Sequence, residues 1–460
     1  MTVPLRRRFA LAVGVVFLTA CSTVAPITPP EPALDNAMWQ DDATQRQPPW
    51  WQQLNDAQLQ QYIEQALSQN FSLQATLARV QQSLAASRQA SSERVPELSV
   101  SAGQRQRWQQ QDGQNSDSSS WQASFDARYE LDVWGRIHAL HAQGQFNVLS
   151  QQARLHLQHN TIASQVAMAW YGWQKERQSL DLLQQQEARL QSALSVIERR
   201  FRRGQVAIAD VWQQQQLLAA NQVDQANATA QMQLYWQRLA LWLGDNTVQP
   251  ISAQGVTLAL PDVISAVNVA QLRSRPDVQV ALYELHAVNA ALAVAVANRY
   301  PRFSITASVG SEDEQLSGLF SNWFANLAAN LVLPLVDGGS RRAEVVRQQA
   351  RVDELLAQYQ QVWLEAAADV QQALIQQQVA DQRAELLASQ LQLAQQTESF
   401  QQGRYRNGVG DYLSLLTAQR AVLTLEQQVL NNRLQQVQHR IELFTSLSSG
   451  EPFAAEEMAL

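Results

Sequence analysis

A single cysteine, Cys21, is present in 460 residues, so the chain holds no internal disulfide and no cysteine-built metal cluster. Proline is missing from two long intervals, between Pro96 and Pro250 and between Pro334 and Pro452, which removes the strongest helix breaker from most of the sequence. Charge is sparse, 16% of residues, and slightly acidic, with 34 Lys+Arg against 41 Asp+Glu. That balance excludes a dominant role on nucleic acid. Uninterrupted apolar stretches are short as well. The longest near the start, Phe9 to Leu18, is about half of what a spanning helix needs. Together with a mean hydropathy of -0.28, this argues against a polytopic helical membrane protein. There is no Gly-rich phosphate loop, no Gly-x-Ser-x-Gly elbow and no His/Cys/carboxylate cluster, so the sequence does not read as an enzyme and implies no cofactor.

The chain does carry a leader. Arg6-Arg7-Arg8 followed by the apolar Phe9 to Leu18 is a secretory signal over residues 1–20. It closes on Leu18-Thr19-Ala20-Cys21, which resembles a bacterial lipobox, and the only thiol of the chain lies where lipidation needs it. Several acyl chains, at about 0.8 kcal/mol per buried CH2, hold a protein at a membrane. Ser22 stands where an Asp would retain a Gram-negative lipoprotein at the inner membrane, which points to the outer one. A Pro-rich stretch then makes 21–49 an extended lipidated tether.

The rest is duplicated. Phe201-Arg202-Arg203-Gly204 is echoed by Tyr405-Arg406-Asn407-Gly408, and Arg94-Val95-Pro96 by Arg299-Tyr300-Pro301. A period this long is an internal duplication rather than a solenoid. The first repeat covers 50–250 and the second 251–448, each predicted as helix, two strands and a long helical hairpin, with a tail at 449–460. Strands are expected at about 97–106 and 119–134, then at about 302–310 and 325–335. There Trp121, Ala123, Phe125, Ala127, Tyr129, Leu131 alternate with polar residues, as do Phe303, Ile305, Ala307, Val309 and Leu327, Ala329, Leu331. The polar runs 109–120 and 311–321 read as strand tips. Period two alone fits a membrane barrel or a soluble sandwich; strand length near ten residues and charges on the polar face favour the barrel.

Helical hairpins are expected at 137–245 and 340–447. Ile137 to Arg203 would be about 100 Å long at 1.5 Å per residue. Leu180, Leu183, Glu187, Leu190, Leu194, Ile197, Phe201 and, in the second repeat, Leu413, Leu416, Arg420, Leu423, Gln427, Leu430, Leu434, Val437, Ile441, Phe444 alternate spacings of three and four, a coiled-coil seam. Gly204 and Gly408 mark the hairpin tips. Strands too few to close a barrel in one chain, joined to helices of this length, imply oligomerisation.

These residues resemble the TolC superfamily of outer-membrane efflux ducts, most closely its OprM/NodT-like lipoprotein branch. The resemblance runs over the whole mature chain, through Trp50-Trp51, Leu131-Asp132-Val133-Trp134-Gly135-Arg136, Arg275-Pro276-Asp277, Leu333-Pro334-Leu335-Val336-Asp337-Gly338-Gly339 and Leu415-Leu416-Thr417-Ala418-Gln419. It implies a mainly α fold with a transmembrane β-barrel: a homotrimer whose twelve-stranded barrel crosses the outer membrane and whose helices form a long α-helical barrel through the periplasm. Such a duct is embedded in outer-membrane lipid and passively passes drugs or other small molecules from an inner-membrane pump, of the RND type, through a periplasmic adaptor. By the same resemblance the hairpin tips close the periplasmic mouth. Asp210 and Tyr405 correspond to a latch between the hairpins, Leu413 to a leucine ring and Arg420 to an arginine one turn further on. Ser414 and Thr417 stand where many members carry an acidic ring; Asp411 would supply that ring at a displaced position.

Simpler readings exist for several of these. Asp210 would also serve as a helix N-cap, Leu413 as seam packing and Tyr405 as an interface tyrosine. The pairs His138/His141 and His156/His159 have a spacing that can hold a metal, which leaves a copper- or silver-specific duct as an alternative, although no Cys or Glu-x-x-His accompanies them. A pore-less periplasmic coiled-coil lipoprotein, acting as an adaptor or scaffold, would share the lipobox and the heptads.

Overall fold

Proline-free stretches fold as helices and alternating stretches as strands. The structure, a computed structural model, describes residues 24–30, 39–40, 49–111, 114–245, 247 and 267–448. The leader, Cys21, most of the tether and the tail lie outside the described residues. In chain order the elements are β1 (Trp39–Gln40), a 3-10 turn (Trp50–Leu54), α1 (Ala57–Gln69), α2 (Phe71–Ser92), β2 (Glu97–Gln111), β3 (Gln114–Leu131), α3 (Arg136–Arg202) and α4 (Ile208–Leu243). The second repeat adds β4 (Val267–Asn268), α5 (Val269–Ser274), α6 (Pro276–Ala297), β5 (Arg302–Asp313), a 3-10 turn (Leu316–Gly318), β6 (Trp323–Val332), α7 (Ser340–Arg406) and α8 (Tyr412–Leu447). The duplication is visible in the lengths: α3 and α7 have 67 residues each, α4 and α8 have 36 each.

The chain divides into two compact units. One takes residues 78–153 and 279–362 with the start of the chain; the other takes 32–77, 154–278 and 363–460.

The first unit carries an antiparallel sheet in the order β2-β3-β5-β6. Register aligns the alternation across all four strands. Leu98, Ala127, Ala307 and Leu327 fall in one row, and Val100, Phe125, Val309 and Ala325 in the next. Over these rows one face of the sheet is apolar, and nothing among the described residues covers it: Val100 is 76% and Leu327 79% exposed. The other face is polar and bonded to itself, with Ser101 Oγ 2.8 Å from Ser124 Oγ and Ser124 Oγ donating to Asp126 Oδ2 at 2.6 Å. A sandwich needs a second sheet on the apolar face. Among the described residues the only other sheet is the two-residue pairing of β1 with β4.

Strand limits differ from the sequence expectation. The polar run 109–120 is mostly strand rather than tip: β2 continues to Gln111 and β3 starts at Gln114. Likewise β5 reaches Asp313, and β6 is shifted to Trp323–Val332, releasing Leu333 and Leu335. Backbone pairing does not require apolar side chains, so a polar ribbon extends the ladder where the alternation has faded. From Ser120 back to Gln114, β3 is paired with β2 alone.

Where strands hand over to helices the contacts are specific. Asp132 accepts from the backbone N–H groups of Ile137 (3.0 Å) and His138 (2.8 Å), fixing the start of α3. Arg136 pairs with Glu130 (2.8 Å) and Glu93 (2.6 Å). Trp134 stacks on Tyr300 at 4.8 Å and donates its indole N–H to the Pro301 carbonyl at 2.7 Å. In α6, Leu285 and Leu292 pack against Val352 and Leu355 of α7, with Val24 and Ile27 of the tether beside them. The Asn289 amide donates to the Ala25 carbonyl at 3.2 Å.

In the second unit an aromatic core holds the helices. Trp170, fully buried, donates its indole N–H to Asp56 at 2.9 Å, while the other oxygen of Asp56 caps α1 by accepting from the Leu59 N–H at 2.9 Å. Tyr62 meets Trp170 edge-on at 5.3 Å, and Trp173 stacks on Trp170 at 5.3 Å. Each repeat also ties its first helix to its last. Asn70 caps α2 through the Ser72 N–H (2.9 Å) and donates to the Trp242 carbonyl near the end of α4 (2.9 Å). Arg275, ahead of α6, donates to the Ser446 carbonyl near the end of α8 and to the Ala366 carbonyl, both at 3.2 Å. It also pairs with Asp277 (2.7 Å) and Asp369 (3.1 Å). Burial alone would lower the Arg275 pKa; the two carboxylates outweigh it and hold the guanidinium above its ordinary value.

Candidate functional site at the helical hairpin turns

Both hairpin turns are closed by the same backbone device. In the first, the Gln205 N–H bonds the Arg200 carbonyl (3.0 Å) and the Gly204 N–H bonds the Phe201 carbonyl (2.8 Å). In the second, Val409 bonds Arg404 (3.0 Å) and Gly408 bonds Tyr405 (3.1 Å). Each is a Schellman motif whose pivot has positive φ, +71° at Gly204 and +77° at Gly408, a conformation a side chain resists.

Beyond the glycine the two turns differ. Helix α8 starts on Asp411, whose carboxylate accepts from the Ser414 N–H (2.8 Å) and hydroxyl (2.7 Å). These bonds hold the Asp411 carboxyl below the usual carboxylate range. Helix α4 starts on Ala207, which offers no side-chain cap. The N-cap reading of Asp210 is therefore corrected: Asp210 lies inside the first turn of α4, where its charge favours the positive helix end.

Between the turns sits an apolar cluster of Leu190, Ile197, Val211, Leu217, Tyr405, Tyr412, Leu415 and Leu416. Tyr412 donates its hydroxyl to the Gln214 side-chain oxygen at 2.7 Å, and the Gln214 amide donates to the Leu190 carbonyl at 3.1 Å, with Gln214 completely buried. Rings of Tyr405 and Tyr412 are 5.8 Å apart. Burial pushes the Tyr405 hydroxyl pKa up, and the negative charge of Asp210 adds to that.

The Asp210–Tyr405 hydrogen bond expected from the resemblance is not made within the chain: Asp210 is near enough to act on Tyr405 through charge, without a direct bond. The polar contact to Tyr405 comes from Arg200 instead, which sequence reasoning missed. Its guanidinium donates to the carbonyls of Tyr405 and Arg406, both at 3.0 Å, and lies 4.6 Å from the centre of the Tyr405 ring. A signal was present, because Arg200 is matched in the duplication by Arg404.

The seam frame also needs correction. Leu413 is 64% exposed, whereas Tyr412, Leu415, Leu416, Gln419 and Val422 form the buried face at the start of α8. The heptad frame holds further along, at Leu434, Val437, Ile441 and Phe444. Thr417 turns its hydroxyl back to the Leu413 carbonyl at 2.8 Å. Arg420 lines a cavity of about 620 Å³ with Asp224, Glu176 and Gln427. Beside the turns a second cavity of about 450 Å³ is bordered by Arg189, Glu398, Tyr405 and Gln419. Burial pushes the Glu398 carboxyl up, against the opposing pull of Arg189.

Among the described residues no group of three or more His, Cys, Asp or Glu side chains is arranged to hold a metal. Burial lowers the His156 imidazole, and burial with the neighbouring His156 takes His159 down to about 4.

A sheet apolar on its uncovered face, set in one chain with two long helical hairpins closed at matching turns, is the subunit of a membrane duct. The chain belongs to the outer membrane efflux protein family, whose profile matches residues 62–245 and 269–449, one span in each repeat. It is similar to outer membrane protein OprJ of Pseudomonas aeruginosa, at 28% identity over 454 residues and 94% of both chains. It is also similar to the solvent efflux pump outer membrane protein SrpC of Pseudomonas putida, at 28% identity over 408 residues and 86% of both. Among solved structures, CusC superposes with a TM-score of 0.85 at 22% identity, covering 92% of this chain and 99% of that one, a likeness of fold. The chain is an outer-membrane efflux channel of the TolC-like fold, a transporter rather than an enzyme, and the pore-less scaffold reading falls.

Proposed function

We propose that three copies of the chain close a single twelve-stranded barrel in the outer membrane. Through it, drugs or other small molecules leave passively after delivery by an inner-membrane pump of the RND type and a periplasmic adaptor. The observation that carries this is the sheet: among the described residues no strand lies beside the outer edge of β2 or of β6. In lipid, each unsatisfied backbone group costs several kcal/mol, so the edges must meet those of other copies. A second feature supports helix-to-helix assembly. Val379, Leu386, Leu393 and Phe400 are exposed on α7 at seven-residue intervals, the spacing a neighbouring helix fills.

In this assembly the hairpin turns form the periplasmic gate. Leu413, turned away from its own core, narrows the opening; Tyr405, packed in the cluster between the turns, and Asp210 near it form the facing sides of the latch; Asp411 replaces the acidic ring absent at Ser414 and Thr417. Arg420 follows one turn further along. Acyl chains on Cys21 supply a second hold on the outer membrane. Full-length protein extracted in detergent should migrate as a heat-modifiable trimer and form channels in planar bilayers. Monomeric, electrically silent material would overturn the proposal.

A further inference from the structure

The geometry points to Arg200 as a residue that fastens the two hairpin turns of one chain together, beside the Tyr412–Gln214 bond, and so as a positioning residue for the closed channel. The inference rests on the reading of those turns as the gate. Arg200 lies in the last turn of α3 but spends its donors on α7, at the carbonyls of Tyr405 and Arg406. These belong to the last turn of α7, where the helix end is negative; the Tyr405 carbonyl takes the guanidinium as a second donor beside the Gly408 N–H (3.1 Å). The guanidinium therefore meets two acceptors and a favourable dipole at once. Its plane also covers the Tyr405 ring at 4.6 Å, and Tyr405 is buried in the cluster between the hairpins. Moving the second turn away from the first must break both hydrogen bonds and uncover the ring in the same step.

The repeat-equivalent residue shows that this is not what an arginine at this position does by default. Arg404 donates to the Val409 carbonyl at 3.1 Å and lies 5.8 Å from the Phe400 ring, so both its contacts stay in its own hairpin. Two arginines in matching places thus have different tasks, one local and one bridging. Lysine has a single point of charge and no planar fork, so it replaces only part of the Arg200 contact.

Single-channel recordings of full-length trimers in planar bilayers test the assignment, with Arg200→Met, Arg200→Lys, Arg404→Met and Leu413→Ser compared against the unsubstituted protein. Arg200→Met should raise conductance several-fold, Arg200→Lys less, and Arg404→Met not at all, with every variant still migrating as a heat-modifiable trimer. Unchanged conductance in Arg200→Met together with a change in Leu413→Ser would overturn the fastening and leave the gate standing. No change in either would overturn both. Should Arg200→Met not assemble, Arg200→Lys decides: conductance equal to that of the unsubstituted trimer overturns the assignment.

Discussion

The two repeats share a backbone plan and differ in how side chains secure it. The hairpin helices match in length residue for residue, and both turns use the same glycine-pivoted closure. Yet the tie from first helix to last is a neutral amide in one repeat, Asn70, and a buried guanidinium with two carboxylates in the other, Arg275. The helix after the turn is capped by Asp411 in one and by no side chain at Ala207 in the other. Duplication has kept the positions where backbone carbonyls need partners and left the choice of donor free. The lesson is that equivalence between repeats is set by unsatisfied backbone groups rather than by residue identity.

This difference makes graded expectations. Arg275→Ala removes a buried guanidinium and takes a donor from the Ala366 and Ser446 carbonyls and from both carboxylates, so it should cost about 3 kcal/mol in denaturant unfolding of the detergent-solubilised protein. Asn70→Ala, at the matching tie, should cost about 1–2 kcal/mol. Equal losses would remove the contrast. Gly204→Ala and Gly408→Ala should each cost about 1 kcal/mol and by the same amount, because no neighbour lies within 4 Å of a Cβ built at either and only the positive φ penalises them. The smallest effect concerns pH. Bonding to Ser414 depresses the Asp411 carboxyl in the folded chain, so its contribution is present above the ordinary carboxylate pKa and lost as pH falls through the folded value. Amide-exchange protection at the start of α8 should therefore drop in acid, whereas the start of α4, which begins on Ala207, has no such cap bond to lose.

Much of this architecture is readable from residues alone because it depends on local signals. Proline-free length gives α3 and α7, glycine in a repeated context gives the turns, and period-two alternation gives the apolar face of β5 and β6. The missed parts depend on partners distant in sequence. Residues 109–120 look like a loop because their alternation is lost, yet the ladder between β2 and β3 continues through backbone pairing. Leu413 fits a heptad written along α8, but the buried face near the turn is set by Tyr412 and Leu415 packing on α3 and α4, which rotates Leu413 outward. Asp210 acts on Tyr405 through charge, without the hydrogen bond the resemblance implies. That Arg200 takes the tyrosine's polar contact depends on where α3 ends relative to α7, which no local pattern encodes.

The run from Ser120 back to Gln114, where β3 pairs with β2 alone, has a practical consequence. Both ends of the sheet that join helices are at the other extremity of the strands, so this ribbon is the end of the sheet remote from every strand-to-helix junction. Hydrophilic, and paired among the described residues only within its own hairpin, it is the part of the sheet that depends least on the neighbouring strands. In the proposed barrel, a peptide tag inserted between β2 and β3 should be reached by antibody on intact cells.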